Sequence, residues 1–305
     1  MDINLIVILG PTASGKTRLA ALLAKELGGE IISADSRQVY RGLNLGTGKD
    51  YDDYLVSGEK IPHHLIDIAD PDYEFNVFDY QESFFACFAD IRARERLPVL
   101  VGGTGLYLEA VLKAYRMVRV PINHGLRASL KDAGEDVLIE RLKALNPAPH
   151  NTTDLQDRVR LFRAIEIAEY SRVGGREARD GQPPLKPLII GLRWARNVLR
   201  RRITKRLKER LAAGMLDEVQ KLHDTGICSW EKMHYFGLEY RYTALCLQGK
   251  LSYKEMFQQL NTRIHQFAKR QETWFRRMER QGIVIHWLDE PDYEKLRRKV
   301  RELFQ

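Results

Sequence analysis

Cysteine is scarce in this chain, and long apolar runs are absent from it. The 305 residues include three cysteines, Cys87, Cys228 and Cys246, which lie far apart and form no Cys-x-x-Cys pair. This spacing argues against a zinc site and against a disulfide-stapled secreted domain, so a reducing, cytoplasmic setting is the default expectation. No apolar stretch approaches the roughly 18 residues of a membrane span, and no basic leader precedes the first apolar segment. We therefore expect neither export nor a membrane span.

Acidic residues are outnumbered, because 41 Asp and Glu stand against 49 Lys and Arg and leave a formal net charge of +8. The basic residues concentrate in two clusters. Between Arg193 and Arg210 there are nine Lys or Arg and a single acid, while KRQETWFRR (269–277) interleaves two aromatic residues with four basic ones. A solvated helix face is the usual meaning of such a run. Two clusters in one basic chain, one of them with aromatic residues, favour a nucleic-acid partner.

The first part of the chain alternates short apolar runs with helical patterns. LIVIL (5–9) ends at a Gly-Pro turn, and the leucines that follow recur at helical spacing until Gly28 and Gly29. EIISAD (30–35) and PVLV (98–101) have the pattern of buried strands, the second again before a glycine turn. Strand, helix and strand with short glycine turns predict a parallel α/β sheet, in which ligands bind beyond the carboxyl ends of the strands.

Residues 10–17, GPTASGKT, fit the phosphate-binding pattern GxxxxGK[ST] at every fixed position, between a predicted strand and a predicted helix. Backbone N–H groups from Ala13 to Thr17 would point at phosphate oxygens, Lys16 would add a positive charge, and Thr17 would offer a hydroxyl to Mg²⁺. A glycine-rich turn without a ligand is the weaker interpretation, because the strand and the helix that should flank a phosphate loop are also predicted. The predicted phosphate-binding residues are Gly10, Pro11, Thr12, Ala13, Ser14, Gly15, Lys16 and Thr17.

The domain organisation follows from where the α/β pattern stops and resumes. From about residue 118 the chain becomes helical and rich in charge, up to a polar stretch with Gly and Pro that ends near residue 186. PLIIGLRW (187–194) has the pattern of a strand again, as does IVIHWL (283–288). We predict a P-loop NTPase-like parallel-sheet core from residues 1–117 and 187–305, with a helical insertion domain at 118–186 and a helical C-terminal portion.

Asp35 and Thr104 follow two of the predicted strands and would lie beside the phosphate loop. The carboxylate of Asp35 has four interpretations: a helix cap, a partner of Lys16, an indirect support of a metal, or a general base beside the phosphate ester. Thr104 is a turn residue or helix cap on one interpretation and a catalytic hydrogen-bond donor on the other. Position alone leaves these alternatives open.

Two features of nucleotide-using P-loop enzymes are missing from the sequence. No convincing apolar run ends in an aspartate of the Walker B kind, and no arginine-rich lid segment is evident. A P-loop kinase of a small metabolite, which would bind ATP, therefore rests on GPTASGKT alone. A third possibility is a non-catalytic RNA-binding protein that retains a vestigial loop.

Taken in order, the motifs resemble those of the tRNA dimethylallyltransferases, also called tRNA isopentenyltransferases. The resemblance spans nearly the whole chain and rests on motifs beyond the phosphate loop. They are GPTASGKT (10–17), ISADSRQVYRGLNLGTGK (32–49), PHHLIDIADP (62–71), VGGTGLYL (101–108), RLFRAIE (160–166) and TRIHQFAKRQETWFR (262–276). The resemblance implies transfer of a dimethylallyl group from dimethylallyl diphosphate to the exocyclic amine of the adenosine 3′-adjacent to the tRNA anticodon, with release of diphosphate. The loop would then hold diphosphate rather than ATP.

The resemblance also implies residue roles. Asp35 would accept the proton of the amine, and Lys16, the loop and Mg²⁺ near Thr17 would neutralise the leaving diphosphate. Thr104 would donate a hydrogen bond to the bridging oxygen, and Arg127 and Arg206 would contact phosphates. Ser36 and Gln38 would read the adenine edge. The implied tRNA-binding residues are Asp35, Ser36, Arg37, Gln38, Thr104, Arg127, Val159, Arg160, Leu161, Phe162, Arg163, Lys269, Arg270, Gln271, Trp274 and Arg276.

The chain departs from the family pattern in two places. Members often carry a GYR-type motif where this chain has FGLEYRYTAL (236–245), so only Gly237 transfers. No Cys/His zinc finger follows the core, which suggests a compact enzyme of bacterial type. We expect it to act as a cytoplasmic monomer on the anticodon stem-loop of tRNA.

Overall fold

The computed structural model describes residues 3–145, 158–172 and 182–304. Within these residues eight strands form a parallel six-stranded sheet and a small antiparallel hairpin. The parts of the predicted insertion at 146–157 and 173–181 lie outside the described residues. The strands are β1 (Leu5–Leu9), β2 (Glu30–Ala34), β3 (Leu55–Val56), β4 (Glu59–Lys60), β5 (His63–His64), β6 (Pro98–Gly102), β7 (Pro187–Arg193) and β8 (His286–Asp289).

The main sheet has the strand order β5-β2-β6-β1-β7-β8, and all its neighbours run parallel. β1, β2 and β6 are buried along their whole length, as expected of strands covered on both faces. The predicted α/β class is confirmed, as are the four principal strands; the strand near the end of the chain, predicted from residue 283, begins at residue 286. The hairpin β3–β4 and the edge strand β5 were not predicted.

Twelve α-helices lie in the described part of the chain, together with a 3-10 helix at Tyr51–Tyr54. The helical, charged segment predicted from about residue 118 begins with two helices, His124–Ser129 and Glu135–Leu145, which are separated by a break at residues 130–134. The α-helices are α1 (Lys16–Leu27), α2 (Val77–Ala93), α3 (Gly105–Leu112), α4 (His124–Ser129), α5 (Glu135–Leu145), α6 (Arg158–Arg172), α7 (Arg196–Ala212), α8 (Met215–Asp224), α9 (Trp230–Met233), α10 (Leu238–Leu247), α11 (Tyr253–Arg280) and α12 (Tyr293–Phe304).

Two compact units make up the chain. The core unit comprises Met1–Ala114 and Pro183–Gln305, and the insertion unit comprises Tyr115–Gln182. In the core unit, side chains of α2, α3 and α11 pack on one face of the sheet and those of α1 and α12 on the other. In the insertion unit, leucines and an isoleucine of α5 and α6 form a small core of their own. None of the described helices is both long and apolar enough to cross a membrane.

The strand register brings the loops of interest to one edge of the sheet. Leu9 at the end of β1 is level with Gly102 of β6 and Gly191 of β7, and Gly102 is level with Ala34 of β2. The segments that begin at residues 10, 35 and 103 therefore leave the sheet side by side. This edge is where parallel sheets bind their ligands.

Candidate active site

The loop between β1 and α1 is a nest of backbone N–H groups. Ala13 and Gly15 have left-handed conformations, with φ of 61° and 86°, and α1 begins at Lys16. Among the described residues, the N–H groups of Ala13, Gly15, Lys16 and Thr17 have no hydrogen-bond acceptor. Ser14 differs, because its N–H donates to the Pro11 carbonyl at 3.3 Å. Free N–H groups at the positive end of a helix dipole form an anion site, as the sequence pattern predicts.

Side chains from α7 and from the short segment between β7 and α7 donate hydrogen bonds to carbonyls of this loop. The indole Nε1–H of Trp194 donates to the Ser14 carbonyl at 3.0 Å, and Nε of Arg202 donates to the Ala13 carbonyl at 2.8 Å. The guanidinium of Arg202 also stacks on Trp194, 4.5 Å from the ring centroid. Because these donors fix two carbonyls on one side of the loop, the neighbouring N–H groups are directed to the other side.

Gln271 connects the phosphate loop to the loop after β6. Its Oε1 accepts the Thr12 N–H at 2.8 Å, and its Nε2 donates to the Gly103 carbonyl at 2.9 Å. A Cβ at Gly103 would overlap the Gln271 amide, so glycine is required for this close approach. Gln271 is buried, with 7% of its surface exposed. Its position favours a supporting role in the site over the direct tRNA contact that the family motif implies.

Lys16 lies at the centre of several charges. Its Nζ donates to the Pro11 carbonyl at 3.3 Å, which curls the side chain back over the loop. Burial, followed by the positive charge of Arg206, lowers the pKa of Lys16 to about 8, and the negative charge of Asp35 opposes this shift. An ammonium group that is partly desolvated interacts strongly with an anion, so Lys16 is suited to bind a phosphate oxygen.

The two oxygens of Asp35 have different environments. Oδ1 accepts the N–H of Arg37 at 2.8 Å and that of Gln38 at 3.3 Å, which closes a turn directly after β2. Oδ2 accepts no hydrogen bond from the residues that the structure describes. The carboxylate is therefore held in orientation by one oxygen while the other remains available to take a proton.

Thr104 forms two hydrogen bonds that connect the loop after β6 to the end of β2. Its Oγ1 accepts the Ser36 N–H at 3.1 Å, and its own N–H donates to the Ala34 carbonyl at 3.3 Å. A Cβ at Gly102 would overlap the same Ala34 carbonyl, which explains the glycine in this turn. The Thr104 hydroxyl acts only as an acceptor toward the described residues. Its proton is thus free for donation to a ligand.

The amide of Gln38 is held on both sides. Nε2 donates to the Gly48 carbonyl at 2.9 Å, and Oε1 accepts from Ser33 Oγ at 3.1 Å. The adjacent guanidinium of Arg37 stacks on Tyr235, 4.8 Å from the ring centroid. The DSRQ segment is therefore ordered by its own contacts, with Ser36 half-buried beside Thr104.

The basic run of α7 divides into two faces. Arg202, Arg206 and Arg210 are spaced four residues apart, so they share the face that looks toward the phosphate loop. Nη2 of Arg206 donates to Asp50 Oδ2 at 2.6 Å. The predicted diphosphate ligand Arg206 thus lies near Lys16 but is paired with a carboxylate. Exposed cations of the remaining helix surface are Arg196, Arg200, Arg201, Lys205 and Lys208.

The KRQETWFR motif divides in the same way along α11. Lys269, Arg270 and Arg276 are exposed, whereas Trp274 is half-buried and packs against α3 so closely that a Cβ at Gly105 would overlap its indole. The side chains of these three cations are accessible to solvent, as the predicted contacts with phosphates require. Trp274, like Gln271, has a packing role that accounts for its place in the motif.

The remaining predicted residues belong to the insertion unit. Nε and Nη2 of Arg127 donate to the two oxygens of Glu166 at 2.7 and 3.1 Å, and Arg163 Nη1 donates to the same carboxylate at 3.0 Å. Leu161 is fully buried in the core of this unit, and Arg160 is exposed. Phe162 lies beneath the guanidinium of Arg158. The side chain of Val159 lies outside the described part of the structure.

The available protein donor fits a magnesium ion that takes most of its coordinating oxygens from a bound phosphate compound and water rather than from the protein. In the described part of the chain, no cluster of three or more His, Cys, Asp or Glu side chains could hold a metal. The Thr17 hydroxyl forms no hydrogen bond with a described residue and stands at the start of α1, beside the free N–H groups. Mg²⁺ commonly takes one or two protein ligands together with substrate phosphates and water, and Thr17 can provide such a ligand.

Comparison with known proteins gives concordant matches. A family model described as IPP transferase matches residues 38–278, and one described as isopentenyl transferase matches residues 2–67. The tRNA dimethylallyltransferase 1 of Syntrophus aciditrophicus is 58% identical over 298 residues, which cover 98% of this chain and 97% of the relative. The tRNA dimethylallyltransferase 2 of Syntrophotalea carbinolica is 61% identical over 289 residues, or 95% of each chain.

The fold matches solved structures as well. The full-length tRNA isopentenylpyrophosphate transferase of Bacillus halodurans superposes with a TM-score of 0.69 at 33% identity. The match covers 99% of this chain and 95% of that structure. Sequence and fold therefore point to the same group of proteins.

Proposed function

The chain belongs to the IPP transferase family, and from this membership we propose that it is a tRNA dimethylallyltransferase. Its donor substrate would be dimethylallyl diphosphate and its acceptor the exocyclic amine of the adenosine 3′-adjacent to the anticodon. The curated relatives named above are transferases that carry this activity in their names. A cytoplasmic monomer remains the expectation for its cellular form.

Three chemical groups lie together at one edge of the sheet, and their grouping is the main support for this proposal. They are the free N–H groups of the phosphate loop, the uncommitted Oδ2 of Asp35, and the uncommitted hydroxyl proton of Thr104. Strand register places the segments that bear them side by side. An anion site, a base and a hydrogen-bond donor are what prenyl transfer from a diphosphate requires.

Asp35 would act on the nucleophile. The lone pair of the adenine amine is delocalised into the ring, so the amine attacks carbon poorly unless its proton is removed as the new bond forms. Oδ2 of Asp35 would take this proton while Oδ1 stays bonded to Arg37 and Gln38. A positioned base of this kind contributes about 10² to 10⁴ in rate.

The phosphate loop and Thr104 would act on the leaving group. As the bond between the prenyl carbon and the bridging oxygen breaks, its electron pair moves to the diphosphate. Thr104 would donate its hydroxyl proton as a hydrogen bond to the bridging oxygen, and Lys16 with the loop N–H groups would bind the outer oxygens. Donors arranged in advance for developing charge are often the largest contribution to catalysis.

Thr17 would hold Mg²⁺ together with oxygens of the diphosphate. When bound, the ion would supply positive charge that helps to neutralise the leaving diphosphate. The free hydroxyl at the start of α1 supports this assignment, because Mg²⁺ commonly takes one or two protein ligands together with substrate phosphates.

The tRNA would be bound by exposed cations of the chain. Lys269, Arg270 and Arg276 project from α11, and we assign them to backbone phosphates of the anticodon stem-loop. Ser36 and Gln38, next to the base Asp35, are assigned to the adenine edge. Binding should therefore weaken steeply with salt, because each phosphate contact releases counterions.

The test is transfer by the purified full-length chain. It is incubated with tRNA, dimethylallyl diphosphate and Mg²⁺, and the nucleosides are analysed by mass spectrometry. We expect a prenylated adenosine next to the anticodon, formed without ATP. ATP consumption with a small acceptor and no dependence on RNA would instead identify a P-loop kinase. Salt-sensitive tRNA binding with no transfer would identify a non-catalytic RNA-binding protein.

A further inference from the structure

Arg210 continues the stripe of arginines on α7 one turn beyond Arg206. Arg202 holds the Ala13 carbonyl of the phosphate loop, and Arg206 donates to Asp50 Oδ2 at 2.6 Å. Nη2 of Arg210 points at the same oxygen from 3.6 Å, which is too far for a hydrogen bond. The stripe thus runs along the phosphate loop and ends in two guanidinium groups that converge on one carboxylate oxygen.

The guanidinium of Arg210 is buried without hydrogen-bond partners. Only 11% of its side chain is exposed, and neither Nε nor Nη2 has an acceptor within the described residues. A guanidinium cannot lose its proton in a protein, and a buried charge without hydrogen bonds is strongly unfavourable. The acids Glu239 and Asp35 act electrostatically on Arg210, but neither accepts a hydrogen bond from its guanidinium. Arg210 therefore has a carboxylate nearby, that of Asp50, but no hydrogen bond to it.

The chain leaves room for Arg210 beside the loop at 45–49. Gly48 has a φ of 71°, and a Cβ there would overlap Arg210 Nη2 and lie 2.7 Å from Arg206 Nη2. Only glycine combines this backbone conformation with the close approach of two guanidinium groups. The loop is thus shaped around the pair of arginines.

The same pair acts on the centre of the site. The positive charges of Arg206 and Arg210 both lower the pKa of Lys16, and the negative charge of Asp35 acts on Arg210. Lys16, Arg206 and Arg210 therefore converge on one region in front of the phosphate loop. Among the acids near these cations, Asp50 is the one that pairs with both arginines, and its side chain is half-exposed.

We propose that Arg210 is a further diphosphate-binding residue of this chain, and that Asp50 occupies the Arg206–Arg210 pair until an oxygen of the diphosphate replaces its carboxylate. The identity of the anion rests on the proposed function. Asp50 is then an internal competitor, which keeps the pair ordered in the free enzyme and leaves it when substrate binds. A planar guanidinium suits this exchange, because it binds carboxylate and phosphate oxygens in the same geometry.

Calorimetric titration with inorganic pyrophosphate and Mg²⁺ tests the proposal on the full-length chain. We expect Arg210→Met to weaken binding about tenfold or more, as the loss of a charged hydrogen bond would. Arg210→Lys, which keeps the positive charge but lacks the planar guanidinium with its several N–H donors, should bind pyrophosphate with intermediate affinity. Asp50→Asn should bind several-fold more tightly than wild type, because the competing charge is gone. Lys221→Met, which removes one exposed charge from the adjoining helix α8, should bind like wild type.

Specific outcomes overturn the proposal. If Arg210→Met unfolds at the wild-type temperature and binds pyrophosphate within twofold of wild type, Arg210 is a structural residue only. Weaker binding by Asp50→Asn would exclude the exchange of carboxylate for phosphate. If Arg210→Met does not fold, Arg210→Lys and Asp50→Asn still decide between these results. Since pyrophosphate binding needs no RNA, altered binding without prenyl transfer would count against the proposed function alone.

Discussion

Gln271 forms hydrogen bonds to both of the loops that carry Lys16 and Thr104. Its replacement by leucine should therefore destabilise the edge of the sheet where these loops meet. The substitution preserves most of the side-chain volume on α11 but removes both hydrogen bonds. The Thr12 N–H then loses its acceptor, and the Gly103 carbonyl loses its donor. Neither group has another hydrogen-bond partner among the described residues.

The magnitude follows from the burial of the two groups. A buried backbone group left without a partner costs about 1–3 kcal/mol. The Gly103 carbonyl is in a buried residue and the Thr12 N–H in a half-buried one, so we expect a loss of about 2–4 kcal/mol in the free energy of unfolding. For a chain of this size each kcal/mol shifts the unfolding midpoint by about 2–4 °C, which gives a decrease of roughly 5–15 °C.

Thermal unfolding followed by circular dichroism measures this loss, and pyrophosphate affinity measures its effect on the loop. Gln259→Leu is the matched control, because Gln259 is an exposed residue of the same helix. Surface substitutions of this kind usually change the free energy of unfolding by no more than about 0.5 kcal/mol. Equal unfolding midpoints and equal pyrophosphate affinities for Gln271→Leu and Gln259→Leu would refute this role of Gln271.

Three further variants probe separate parts of the account. Thr104→Val removes the donor to the bridging oxygen, so single-turnover prenyl transfer should slow by about 10² to 10³; an unchanged rate would argue against this role. Gly48→Ala places a Cβ against Arg210 at a φ of 71°, and urea unfolding should show a loss of about 1–3 kcal/mol; wild-type stability would contradict the close packing. Hydrogen bonds from a tyrosine and two arginines of α12 lower the pKa of Glu26 to about 2. Its stabilising contribution is therefore present above about pH 4.5 and is lost as the pH falls toward 2. Glu26→Gln should unfold at a lower temperature than wild type at pH 6 and at the same temperature near pH 2, and a constant difference would exclude this linkage.

Features of the site that depend on residues adjacent in the chain could be predicted from the sequence. The phosphate loop, Asp35 and Thr104 each follow a buried strand directly, so recognition of the strands was enough to bring them to one edge of the sheet. Parallel pairing of β2, β6 and β1 then aligned their ends at Ala34, Gly102 and Leu9. The capping box of α2, in which Asn76 and Asp79 satisfy each other's backbone, was also present in the sequence, and that helix was overlooked.

The supporting contacts depend on residues that are distant in the chain. Gln271 is 259 positions from Thr12, and Trp194 is 180 positions from Ser14, so neither contact has a local signal. The arginine stripe did have one, because Arg202, Arg206 and Arg210 recur every fourth residue. Which face of α7 meets the loop is nevertheless decided by the packing of its buried leucines and isoleucine. The two-residue strand β5 is too short to leave a pattern.

Asp35 is proposed to accept the proton of the adenine amine, and single-turnover prenyl transfer by Asp35→Asn tests this role most directly. Asparagine retains an oxygen for the N–H groups of Arg37 and Gln38, so the turn after β2 should persist. We predict a rate of transfer to tRNA that is lower by about 10² to 10⁴, with pyrophosphate affinity close to that of wild type. Transfer at the wild-type rate would contradict the account.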